Sequence, residues 1–182
     1  MPESSDRFFI VTGGPGSGKT SLLQALAGQG ITCMPEAGRG IIRHQMAIGG
    51  GALPWRDPAA FAEQMLGWDM RSYDEAAGLP GPVMFDRGIP DIAGYLRLSN
   101  LPVPAHVAAA ARQFRYNARV FIAPPWPEIF RRDAERKQTL AEAEQTYQAM
   151  VRVYADYDYD LLELPRSAVD ARVAFVRRYL PF

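Results

Sequence analysis

Residues 13–20 read Gly13-Gly14-Pro15-Gly16-Ser17-Gly18-Lys19-Thr20, which meets every fixed position of the G-x-x-x-x-G-K-[ST] pattern. The apolar run Phe8-Phe9-Ile10-Val11 before it suits a buried parallel strand, and Ser21-Leu22-Leu23-Gln24-Ala25-Leu26 after it suits a helix. Strand, glycine loop and helix together are the context in which this pattern holds phosphates. Glycines let the backbone adopt turns closed to other residues and approach a ligand closely. The loop amides then form an anion nest, and the helix adds free N–H groups and the positive end of its dipole. Gly14, Pro15, Gly16, Ser17, Gly18, Lys19, Thr20 and Ser21 are therefore the predicted nucleotide-binding residues. Lys19 is placed to reach the β- and γ-phosphates and Thr20 to put its hydroxyl on Mg²⁺. Pro15 stiffens the loop. Binding of a nucleoside triphosphate follows, and the open question is what receives the phosphate.

The rest of the composition narrows the class. At 182 residues the chain is one domain by size, enough to bury a substantial core. Lys plus Arg is 20 and Asp plus Glu is 20, so the net charge is near zero, unlike a general nucleic-acid scaffold. A single cysteine, Cys33, excludes an intrachain disulfide and a cysteine metal cluster. Met1 to Arg7 is polar, without the apolar core of a signal peptide, and no run is long and apolar enough to span a bilayer. The expectation is a cytoplasmic protein with no membrane contact and no nucleic-acid partner.

In chain order, strands are predicted over 7–12, 31–34, 83–88, 119–123 and 159–164. Helices are predicted over 18–28, 40–48, 58–77, 89–98 and 105–114. Pro127 to Lys137 reads as a charged helix, Thr139 opens a longer one, and Ser167 caps a last helix with Val169, Val173, Val176 and Leu180 on one face. Strands alternating with helices mean an α/β fold, a parallel sheet covered on both faces, with five strands as the natural count.

Phosphoryl transfer asks the protein for positioning, a metal and positive charge on the moving group. Three clusters at predicted strand ends offer these. Asp86-Arg87 closes an apolar strand: the acid suits Mg²⁺, held directly or through water, and the guanidinium grips an acceptor or phosphate through two oxygens. Glu36, with Arg39 and Arg43, follows the second strand. The acid suits either a base for a substrate hydroxyl or a hydrogen-bond acceptor for a sugar, and the arginines suit an anionic group of the acceptor. The run Arg131 to Gln138 puts Arg132 and Arg136 on one helix face. It reads either as a mobile lid closing on the phosphates or as a surface helix laced by Glu128–Arg132 and Asp133–Lys137 pairs. Asp91 is a further candidate for the acceptor pocket. Arg172 is a candidate to pack on an adenine together with Pro165. His44, His106 and Cys33 read as structural or surface residues, and Trp68 and Tyr95 as core before ligand.

Five segments in order, GGPGSGKT at 13–20, PEAGR at 35–39, FDRGIPD at 85–91, PPWPEIFRRDAERKQT at 124–139 and ELP at 163–165, span nearly the whole chain. With them the chain resembles the AAA-type ATPase-like domain family, which includes the kinase domain of bacterial nicotinamide riboside kinases. More widely it is similar to the P-loop nucleoside and nucleotide kinases. The resemblance implies a three-layer fold with strand order 2-3-1-4-5 and a lid near 125–140. It implies that Glu36 is the acceptor-side carboxylate, that Asp86-Arg87 is the acid–Arg pair of the third strand, and that adenine lies near Arg132 and the Pro165 loop. It leaves the acceptor unnamed, since many members have no assigned substrate. It also implies one stand-alone kinase-like domain over 1–182, without the domains fused to some relatives.

The leading expectation is ATP- and Mg²⁺-dependent transfer to a small polar, nucleoside-like acceptor. Lys19 and the lid arginines Arg132 and Arg136 would stabilise the moving group, Thr20 and Asp86 would organise Mg²⁺, and Glu36 or Asp86 would take the proton. The alternative is a slow ATPase or nucleotide switch acting through a protein partner. A ring-forming mechanical motor is disfavoured, because the third strand ends in FDRG and not in an acidic pair.

Overall fold

The computed structural model describes residues 6–130 and 139–181. Five strands, β1 (Phe8–Gly13), β2 (Thr32–Met34), β3 (Val83–Asp86), β4 (Arg119–Ala123) and β5 (Asp160–Glu163), form one parallel sheet in the order β2-β3-β1-β4-β5. Among the described residues the helices are α1 (Lys19–Gly28), α2 (Ala37–Ile48), α3 (Pro58–Ala77), α4 (Ile89–Leu98), α5 (Ala105–Gln113), α6 (Leu140–Asp156) and α7 (Val169–Arg177). This is the three-layer α/β arrangement and the strand order expected from the resemblance.

The alternation along β1 explains the layers. Successive side chains of a strand point to opposite faces. Phe8 and Ile10 join Tyr73, Phe85, Ile92, Val107 and Tyr154 on one face, while Phe9 and Val11 join Leu22, Leu26, Phe121, Val173 and Val176 on the other. So α3, α4, α5 and α6 cover one side of the sheet, and α1 and α7 the other. A smaller cluster of Ala37, Ile41 and Phe61, flanked by Met65, Trp68 and Tyr95, ties α2 to α3 and α4 beyond the main core.

The register sets the functional edge. Val11 lies opposite Asp86 and Gly13 opposite Ala123, while Met34 pairs with Phe85 and Ile122 with Glu163. All five strands therefore deliver their carboxyl ends to one rim. Strand β1 sits where the strand order reverses, the place at which open α/β sheets leave a crevice.

Three boundaries differ from the sequence reading. α2 begins at Ala37, not Gly40, with Glu36 at its N-cap, so Arg39 is helical. The last helix is capped by Ala168 and not by Ser167, whose hydroxyl is buried without a partner. Pro127 to Ile129 form a turn, with the Phe130 N–H donating to the Trp126 carbonyl at 3.1 Å, and the greater part of the helix expected over 127–137 lies outside the described residues. Residues 131–138, including Arg132 and Arg136, lie outside the described residues.

Candidate active site

The phosphate loop is folded by steric demand. Gly13 has φ +130° and its position is so close to β4 that a Cβ would meet the Ala123 carbonyl oxygen at 2.4 Å. Gly18, the N-cap of α1, has φ +78°, in the left-handed region. Between them Ser17 is 2 % exposed and its hydroxyl donates to the Gly14 carbonyl at 2.7 Å. Pro15 and Gly16 are half-buried, while Thr20 and Ser21 at the head of α1 are exposed. Lys19 is folded back: its ammonium donates to the Gly14 carbonyl at 2.8 Å. Burial, aided by the Arg87 charge, lowers its pKa from 10.5 to about 7, against the pull of Asp86, Glu36 and Asp91. A buried ammonium without a full counter-charge is a group waiting for an anion.

The end of β3 places the second cluster. Arg87 takes φ +69°, strained for a residue with a side chain. Its N–H donates to the Val11 carbonyl at 2.9 Å, and its guanidinium to Asp91 Oδ1 at 3.3 Å. Asp91, 5 % exposed, is the knot of this region. One oxygen also accepts from the Thr12 hydroxyl at 2.5 Å, and the other accepts from the Gly88 N–H at 3.0 Å and the Tyr154 hydroxyl at 2.5 Å. The structure thus places Asp91 inside the protein with its oxygens taken by β1, the β3–α4 turn and α6.

Asp86 differs. Its Oδ1 is buried and has no hydrogen-bond partner, and burial raises its pKa above the ordinary carboxylate value, with Lys19 and then Arg87 opposing. An orphaned, partly desolvated carboxylate oxygen facing the Lys19 side of the cleft fits a divalent cation. No group of three or more Asp, Glu, His or Cys able to hold a metal exists among the described residues.

The third cluster lies across the cleft. Glu36 stands at the start of α2, its side chain 28 % exposed, with Arg39 Nε 3.9 Å from its Oε2. Arg39 and Arg43 project from exposed positions of α2. Behind Glu36 is an aromatic wall: Phe61 meets Tyr95 edge-on with centroids 5.5 Å apart, and Trp68 packs so tightly on Gly40 that a Cβ there would lie 2.8 Å from its ring.

The sequence reading missed one acid of this cleft. The Asp69 carboxyl is raised well above its ordinary value, first by burial and then by the charges of Asp91 and Glu36, with Arg87 opposing. A signal for it exists in the sequence: Asp69 stands eight residues after Phe61 and four after Met65, on the apolar stripe of α3, where an acid is out of place.

Arg172 sits elsewhere than an adenine-packing role requires. It is 2 % exposed beneath the phosphate loop, where it donates to the Gly18 carbonyl at 2.9 Å and the Ser17 carbonyl at 3.1 Å. Pro165 is half-buried after β5, next to Arg166, whose Nε donates to the Pro125 carbonyl at 2.8 Å.

A family model described as an AAA domain matches residues 8–172. The chain belongs to this AAA domain family. The match runs from the first residue of β1 to Arg172 and so takes in the phosphate loop, Glu36, the Asp86–Asp91 turn and the 124–139 segment of this AAA domain. Among solved structures, deoxyadenosine kinase from M. mycoides with dCMP and dCDP bound is similar at a TM-score of 0.63 and 14% identity, over 94% of this chain and 97% of that one. Thymidylate kinase from Candida albicans gives 0.67 and 11%, over 97% and 92%. NadR in complex with NR gives 0.70 and 17%, over 96% of this chain but 51% of NadR. At these identities the likeness is one of fold alone. A search of curated proteins finds no match.

Proposed function

We propose that this AAA domain is a small-molecule kinase that transfers the γ-phosphoryl group of ATP, with Mg²⁺, to a hydroxyl of a small polar, nucleoside-like acceptor. The observation that carries the proposal is the gathering at one rim of the phosphate loop after β1, Asp86 and Arg87 at the end of β3, and Glu36 after β2. Lys19 lies within electrostatic reach of Asp86, Glu36, Asp91 and Arg87 together. The likeness in fold to nucleoside and nucleotide kinases supports the same reading.

The roles follow from placement. The loop from Gly14 to Ser21 cradles the triphosphate, and its negative charge restores the full charge of Lys19. Thr20 and the orphaned oxygen of Asp86 are the residues that would hold Mg²⁺, which supplies charge neutralisation on the phosphate oxygens when bound. Glu36, less buried and on the acceptor side, takes the hydroxyl proton as the acceptor oxygen bonds to the γ-phosphorus and the bond to the β–γ bridging oxygen breaks, releasing ADP. Arg87, pinned by Asp91, orients the acceptor, and Arg39 and Arg43 give the mouth positive charge. Asp91 thus acts on the acceptor through Arg87. Arg132 and Arg136 are assigned to the moving phosphoryl group, and Arg132 with Pro165 to the adenine.

The test is ADP release from MgATP with a panel of nucleosides, nucleotides and vitamins. One compound is expected to stimulate strongly and to appear phosphorylated. Glu36→Gln is expected to cut that transfer by about 10²- to 10⁴-fold while sparing MgATP binding. A flat rate across the panel, or transfer unaffected by Glu36→Gln, refutes the kinase reading or the assignment of the base respectively.

A further inference from the structure

Arg172 has no part in the reading above, yet it is the largest fully buried side chain of the described residues. An arginine in a protein interior carries a desolvation cost that lowers its pKa, and such a residue persists where its donors are used. Here the two Nη groups, though not the partnerless Nε, reach across 154 and 155 residues of sequence to the carbonyls of Gly18 and Ser17. The plane of the guanidinium also lies over Trp126, its carbon 5.5 Å from the ring centroid. A Cβ at Gly18 would come within 2.6 Å of Arg172 Nη1 and 3.2 Å of Ile129 Cδ1, so Arg172 and the turn after β4 press on the same outer side of the loop.

The consequence lies in peptide geometry. In a trans peptide the N–H points opposite to the C=O of the same plane. The Gly18 carbonyl also accepts from the Leu22 N–H of α1 at 3.3 Å, so α1 shares in holding it, and Arg172 adds a second donor there and one at Ser17; with both carbonyls held, the N–H groups of Gly18 and Lys19 point away from Arg172. Those are two of the amides by which a loop of this pattern holds phosphates. We infer that Arg172 is a positioning residue of the phosphate loop: it aims the Gly18 and Lys19 amides at the nucleotide phosphates from behind, and ties them to Trp126 at the head of the 125–140 segment. The inference rests on the nucleotide-binding reading of residues 13–20 but not on the nature of the acceptor.

The experiment is calorimetric titration of the full chain and its Arg172→Met and Arg172→Lys variants with MgATP and with magnesium tripolyphosphate, alongside thermal melts. Charged donors to two carbonyls are lost in Arg172→Met, so binding of both ligands is expected to weaken by about 10- to 100-fold, and by the same factor for each. The lysine head is compact and lacks the planar fork of the guanidinium, so Arg172→Lys is expected to recover part of the loss. Loss confined to MgATP, with tripolyphosphate spared, means that Arg172 serves the adenine and overturns the inference. A lowered melting temperature with both affinities intact assigns it a purely structural role and also overturns it. If Arg172→Met does not fold, Arg172→Lys decides: equal weakening of both ligands sustains the inference and unchanged binding ends it. A wild-type chain that binds neither ligand removes the phosphate-loop reading itself, whereas wild-type binding with unimpaired variants refutes the role of Arg172 alone.

Discussion

Raising the pH perturbs Lys19 more selectively than any substitution. Burial holds its pKa near 7 in the free protein, from an ordinary 10.5. At pH 7 about half of the molecules therefore carry a neutral Lys19. A triphosphate in the loop favours the charged form, so binding takes up a proton. If the bound lysine stays protonated through pH 9, the charged, binding-ready fraction of the free protein falls steeply between pH 7 and 9, and MgATP affinity falls by about one to two orders of magnitude. Folding responds with the opposite sign. The unfolded chain keeps the lysine proton up to about 10.5, so between pH 7 and 10.5 it binds more protons than the folded chain, and Lys19 makes stability rise with pH in that window. The assay is calorimetry at constant ionic strength in two buffers of different ionisation enthalpy, which counts the protons. About 0.9 proton is expected at pH 8. Lys19→Arg, charged throughout, is expected to bind less tightly but with no pH slope between 7 and 9. Wild-type affinity and proton uptake that stay flat over this range refute the claim that Lys19 is a desolvated, half-neutral group before the nucleotide arrives.

Three further outcomes are expected. Tyr154→Phe leaves Asp91 with one donor fewer in a buried site and is expected to cost about 1–3 kcal/mol in chemical denaturation; a change under about 0.5 kcal/mol contradicts the hydrogen bond. Gly88→Ala places a Cβ 2.4 Å from Cδ1 of the fully buried Ile10, at an ordinary φ of −144°, so overpacking rather than backbone strain costs about 1–3 kcal/mol, and a neutral result would mean that β1 gives way at no cost. Burial raises the Cys33 thiol to about 11, leaving roughly one thiolate in a thousand at pH 8; alkylation as fast as that of a free thiol would disprove its shielding.

The parts of the site that are legible in the sequence are those whose chemistry is local. Residues 13–20 are contiguous, and their glycines, lysine and threonine act at fixed spacing, so their loop can be read without knowing what surrounds it. Glu36 and Asp86 are legible because each ends an apolar run, and a strand end in a parallel sheet faces the rim. Asp91 reads in the sequence as a candidate for the acceptor pocket, and its buried place escapes that reading because its four donors come from Thr12, Arg87, Gly88 and Tyr154, on three separate elements. Asp69 is legible only as an acid out of place on the apolar stripe of α3, because the charges that surround it lie in no single window of sequence.

Readable along the chain alone are the alternation of five apolar runs with amphipathic helices, the phosphate loop between the first pair, and the acids and arginines that close the strands. Period and composition carry that information, since burial of one face of a helix or both faces of a strand is a local requirement. Which of those polar groups meet is settled by the packing. Lys19 has a lowered pKa because burial desolvates it, Arg87 is held because Asp91 reaches it from α4, and Arg172 reaches the Gly18 carbonyl because α7 packs on α1. Desolvation and hydrogen-bond geometry are set by neighbours distant in the chain, and those neighbours exist only once the sheet has brought its carboxyl ends to one rim.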